Sequence, residues 1–204
     1  MKKNRNQNEN VAYEFAAQGK AQWESGDLTA ALNSYEKAIK IFKNQKIWFV
    51  EYSDILEDCG HINRAIGNYE KAIECYEQAW GENNLHVAFV CLENLNDYTK
   101  AKNIFLANLN KLTNASEASA AFHLAEMSAN GKGSQINLIE ALKWMYIATS
   151  IDPVRSEFQE SIEQLKIKLS QYEIESANLL SKSWLRTKED EVRQNKENDP
   201  WSVI

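Results

Sequence analysis

The chain has 204 residues, 44% hydrophobic and 25% charged, the ordinary balance of a folded soluble domain. With only 7 Gly and 2 Pro a turn-dense β architecture is excluded, and a formal net charge of −6 speaks against a general binder of nucleic-acid backbones. No apolar run approaches the ~18 residues of a membrane span, so no membrane partner is expected.

Residues 1–9 are polar and Asn-rich and are predicted to form a disordered tail. Lys2, Lys3 and Arg5 are followed by Gln7-Asn8-Glu9-Asn10 rather than an apolar stretch, so no export signal is expected and the predicted location is cytoplasmic. Helical spacing begins at Val11 and continues through Phe15, Gly19 and Gln22/Trp23, with a stop predicted near Gly26. The next helix is predicted over Leu28–Phe42, burying Ala31, Leu32, Tyr35, Ala38, Ile39 and Phe42.

Gly26, Ala31, Tyr35 and Ala38 reappear 34 residues later as Gly60, Ala65, Tyr69 and Ala72. This register predicts helices over 46–59 and 62–78 with Gly60 in the turn between them. A third copy follows at 36 residues. Its first helix is expected near Leu85–Leu95, with Asn96-Asp97-Tyr98 in the turn, Ala101 as the small contact and Phe105 as the aromatic one. A period of about 34 residues is one helix–turn–helix unit, which cannot bury its apolar face alone and must stack on a neighbour.

These units, over about residues 11–112, resemble tetratricopeptide (TPR) repeats. A fourth unit carries Asn130-Gly131-Lys132-Gly133, then Ala141, Trp144 and Ala148, and resembles a Sel-one-like repeat, a TPR relative with a glycine-rich turn. Pro153 is expected to open the following helix, with Phe158, Ile162, Leu165 and Leu169 on its apolar stripe. Ser170 and Glu173 read as a capping box for a last helix with Ile174, Ala177, Leu180 and Trp184 on one face. That segment is similar to the closing hairpin of bacterial Sel-one-like proteins. Together the resemblances imply an all-α, right-handed α-solenoid of about five antiparallel hairpins. A single domain over 10–187 is expected, with units near 11–43, 46–79, 83–112 and 115–151 and a capping hairpin at 153–187. A charged flexible tail, 188–204, ends in the apolar segment Trp201–Ile204, which either docks back or binds elsewhere.

No catalytic constellation is apparent. His123 and Glu126 share one helix face, and no further ligand is signalled beside them. The Gly131–Gly133 turn lacks the preceding strand of a phosphate loop. Cys59, Cys75 and Cys91 are odd in number, lack CxxC spacing and read as core thiols. No enzyme, metal or cofactor is therefore expected.

The TPR resemblance implies a concave face lined by the first helix of each unit. That places Tyr13, Lys20, Trp23 and Glu24 on it, then Val50, Asp54, Glu57 and Asp58, then His86, Val90, Glu93 and Asn94. The basic clamp by which some TPR proteins hold a terminal carboxylate is absent, since Ala16, Asp54 and Val90 stand at its positions and only Lys20 suits. An acidic groove anchored by aromatics is expected to take a protein or peptide with basic and apolar side chains, and not nucleic acid. A narrower alternative is an inhibitor, immunity-type protein or chaperone that neutralises one cognate bacterial partner. A third is an enzyme subunit, which requires a cleft of titratable groups with shifted pKa. The oligomeric state stays open.

Overall fold

A computed structural model describes residues 7–45, 50–109 and 114–197 of the chain. The apolar segment Trp201–Ile204 and the first six residues lie outside them. Among the described residues there are helices and turns and no strand, and no helix is long and apolar enough to cross a membrane. Two compact bodies divide after Leu95.

The N-terminal body holds α1 (Gln7–Glu24), α2 (Leu28–Asn44), α3 (Val50–Ala65), α4 (Tyr69–Trp80) and α5 (Leu85–Phe89), which runs into a π-helical segment, Val90–Leu95. Helix α1 pairs with α2 and α3 with α4, and α2 also packs on α3. Their first turn closes through Gly26 at φ 86°, where the Asp27 N–H donates back to the Gln22 carbonyl at 2.9 Å. Asp27 then caps α2 by accepting the Ala30 N–H at 3.0 Å. The same closure recurs at Gly67, φ 83°, with the Asn68 N–H on the Asn63 carbonyl at 2.8 Å.

The second turn is therefore at Gly67, and the expected 34-residue register is corrected to 41, with the expected 36-residue step to the third copy becoming 29. Gly60 lies inside α3, and its partner in the first hairpin is Gly19. A Cβ on Gly19 would sit 2.8 Å from the Tyr35 ring, and one on Gly60 would sit 2.4 Å from the Tyr76 ring. Each glycine lets a buried tyrosine lie flat against a helix backbone. Tyr76, rather than Tyr69, is thus the counterpart of Tyr35, and Ala72 that of Ala31; all four are buried. The mismatch arises because glycines stand seven apart in both hairpins, so Gly26 matches Gly60 as readily as Gly67.

In the third unit the turn falls where the sequence places it, with Asn96 at φ 56° and Asp97 capping the next helix through the Lys100 N–H. Buried Ala88 precedes Asn96 by eight residues, one more than separates Gly19 from Gly26 or Gly60 from Gly67. The π-helical turn absorbs that extra residue.

The C-terminal body holds α6 (Tyr98–Ala107), α7 (Ala115–Asn130), α8 (Leu138–Ile151), α9 (Ser156–Lys166) and α10 (Gln171–Glu197). Ala101, Phe105, Ala141, Trp144 and Ala148 are buried, as their spacing predicts. Helix α7 pairs with α8, and both α9 and α10 pack on α8. Phe158 of α9 stacks on Phe122 at 5.3 Å, and Trp184 of α10 meets Trp144 edge-on at 5.2 Å.

The capping box forms, with the Ser170 N–H donating to Glu173 at 2.8 Å. Two expectations fail here. Pro153 lies in the turn before Arg155, the N-cap of α9, instead of opening that helix. Leu180 is 46% exposed, and Ser181 takes the buried place between Ala177 and Trp184.

Candidate functional site: a histidine–carboxylate–aromatic cluster

Helix α3 presents Glu57 and His61 four residues apart, hence one above the other on one face. Helix α5 brings His86 to them from its first turn, where Asn84 fixes the backbone by accepting the His86 N–H at 2.7 Å. Glu57 Oε1 lies 3.5 Å from His61 Nε2 and 3.2 Å from His86 Nε2. One donor atom from each of the three residues lies within 4.8 Å of the other two.

The surroundings hold these groups in place. Tyr76 Oη is 3.0 Å from His61 Nδ1, and Trp80 donates its indole N–H to Glu57 Oε2 at 2.6 Å. The Tyr76 ring stacks on His86 at 4.9 Å, and Trp23 of α1 stacks on His61 at 6.3 Å. Burial pushes the Tyr76 phenol up to about 12, so it stays neutral. Burial also lowers the His86 pKa against the opposing pull of Glu57, favouring the uncharged imidazole at neutral pH.

Beside this cluster the Tyr35 hydroxyl donates to Asp58 Oδ2 at 2.8 Å. Burial raises the Asp58 pKa, while the Tyr35 hydrogen bond, His61 and Lys20 pull it down. Arg64 joins α3 to the π-helical segment, donating to Asn94 Oδ1 at 2.9 Å and pairing with Glu93. The Cys75 thiol is pushed up to about 11 by burial and Cys59 is raised further, so both are poor nucleophiles at neutral pH.

Of the residues expected on the inner face, Trp23, Glu57 and His86 are brought together. Asp58 lies next to them, and Glu93 belongs to the Arg64 contact. Lys20, Glu24 and Asp54 are exposed on α1 and α3. Tyr13 does not join the cluster, because its ring packs edge-on against buried Phe42 at 5.2 Å. Val90 is buried, and the Val50 side chain lies outside the described residues.

His61, Tyr76 and Trp80 escaped the sequence reading. His61 and His86 are 25 residues apart, and only the stacking of two hairpins closes that distance. The turn expected at Gly60 places His61 off the helix of Glu57 and so hides their four-residue spacing, which only the observed α3 makes one face. At the other candidate pair, His123 Nδ1 meets Glu126 Oε2 at 3.0 Å, and His123 also stacks on Phe105. Among the described residues, three metal-type donors converge at Glu57, His61 and His86 and not at that pair.

Comparison with known proteins agrees with this architecture. A tetratricopeptide repeat model matches residues 15–45 and 54–80, the two hairpins that carry Gly19/Tyr35 and Gly60/Tyr76. No curated protein sequence matches the chain. Among solved structures, the crystal structure of MamA protein is similar at 16% identity, covering 95% of this chain and 98% of that one, with a TM-score of 0.55. The likeness is one of fold, and the chain has the all-helical, TPR-type solenoid architecture.

Proposed function

We propose that the chain is a protein-binding module without catalytic activity of its own, recognising its partner through the face that α1, α3 and α5 carry. TPR-type architecture supports this reading, because stacked hairpins leave the first helix of each pair free to line a surface. The observation that carries it is the cluster of partly exposed rings, Trp23, His61, His86 and Trp80, gathered around Glu57, with the exposed acids Glu24 and Asp54 on the same two helices and Glu93 paired with Arg64 beside them. Aromatic side chains supply affinity at such surfaces, while an acidic rim selects basic partners and speeds encounter. Tyr13 and Lys20 lie on α1 and Asp58 on α3, and the same reading assigns them to this face. The Gly131–Gly133 turn supports a Sel-one-like character for the unit over 115–151. Cytoplasmic location is part of the same proposal.

The experiment is affinity capture with wild-type protein and with a Trp23→Ala, Glu24→Lys, Asp54→Lys variant of unchanged helicity. The expected result is a basic partner retained by the wild type and lost by the variant. The same partners on both proteins would remove this face from consideration. Inhibition of a single cognate protein would appear as one dominant partner whose activity falls on binding.

A further inference from the structure

We propose that Glu57, His61 and His86 bind a divalent first-row transition metal ion of the zinc class through Glu57 Oε1 and the Nε2 atoms of both histidines.

The spacing of the donors fits coordination by one ion. A charge-assisted N–H···O contact closes to about 2.7–2.9 Å. Here one carboxylate oxygen faces two imidazole nitrogens at 3.5 and 3.2 Å. Those values bracket the roughly 3.3 Å edge of a tetrahedron whose metal–ligand bonds are about 2.0–2.1 Å. Two imidazoles and one carboxylate suit zinc, cobalt or nickel, whereas calcium and magnesium require oxygen shells.

The outer groups match what such a centre needs. With Nε2 directed at a metal, His61 carries its proton on Nδ1 and donates it to Tyr76 Oη, 3.0 Å away. The Trp80 indole holds Glu57 Oε2, which leaves Oε1 for a single bond to the ion. Stacking on Trp23 and Tyr76 sets both imidazole planes. The Glu57, His61 and His86 side chains are 29%, 34% and 34% exposed, so a metal there keeps at least one position open to water. The ion would tie α3 to α5 and so stabilise the N-terminal body.

The test uses the full-length chain, free of any metal-binding tag and stripped with chelator, titrated with ZnCl2, CoCl2 and MgCl2. One equivalent of zinc is expected to bind and raise the melting temperature. Cobalt should give the visible absorption of a low-coordinate site, bleached by zinc, and magnesium should do neither. His86→Gln and Glu57→Gln should each weaken zinc binding at least about ten-fold, and Tyr76→Phe by about ten-fold through the lost orientation of His61. His123→Gln should bind as wild type does. Circular dichroism checks each fold, and if His86→Gln unfolds, Tyr76→Phe, which removes one oxygen atom, decides. Zinc binding that is absent, unchanged in all three site variants, or lost in His123→Gln overturns the proposal. Because the readout needs only purified protein and metal, it stands apart from the capture experiment on the protein-binding face.

Discussion

At Gly60 a single hydrogen atom decides how closely two helices approach. Alanine is ordinarily the better helix residue by about 1 kcal/mol. Its methyl would here come within 2.4 Å of a fully buried tyrosine ring that is also held by His61 and His86. Gly60→Ala is therefore expected to lower stability by about 1–3 kcal/mol, the usual cost of overfilling a core. Gly67→Ala should cost about 1–2 kcal/mol for a different reason, the left-handed backbone of the turn. Urea unfolding distinguishes the outcomes, and a Gly60→Ala midpoint at or above wild type would mean that the ring slides aside. At this scale the sequence was only partly legible. Tyr35 and Ala31 are legible from spacing, but Tyr76 is not, because Tyr69 takes its place in the 34-residue register.

Individual helices are delimited by side chains as much as by apolar stripes. Asn114 accepts the Glu117 N–H at 2.9 Å while the buried Glu117 carboxylate accepts the Asn114 N–H at 3.1 Å, a reciprocal cap at the start of α7. Asn114→Ala should cost about 1 kcal/mol and speed hydrogen exchange in the first turn of α7, whereas Asn114→Ser should come close to wild type. Exchange rates identical in all three proteins would show that the cap is dispensable. Element types and most turns could be read in advance because Gly26, Asn96-Asp97 and Gly131 are local signals. The length of the link between the first two hairpins could not, since nothing local marks the seven added residues. Nor did any local pattern announce that Ser181 rather than Leu180 faces the core.

For the whole molecule, charge is the property that reaches furthest. A net −6 with exposed Glu24, Asp54 and Glu93 on the proposed face should make partner association sensitive to ionic strength. Raising salt from about 0.05 M to about 0.5 M shortens screening several-fold, and association with a basic partner should slow accordingly while dissociation changes little. Stopped-flow or surface-binding kinetics read this directly. A salt-independent association rate would leave the aromatic rings as the sole source of recognition. The fold class was legible at this scale because repetition is a long-range signal carried by many residues. The site was not, because its donors come from separate hairpins and meet only after stacking.

The widened turn at Val90–Leu95 has an outcome for the chain upstream. An α-helix advances about 100° per residue, so excising the surplus residue would turn α5 by that angle against Asn94 and Leu95. Helix α3 touches His86 ahead of the bulge through Glu57, and Glu93 and Asn94 within it through Arg64, so it could then keep only one of these two sets of contacts. One supernumerary peptide unit thus acts as the aiming device for an imidazole four to nine positions earlier.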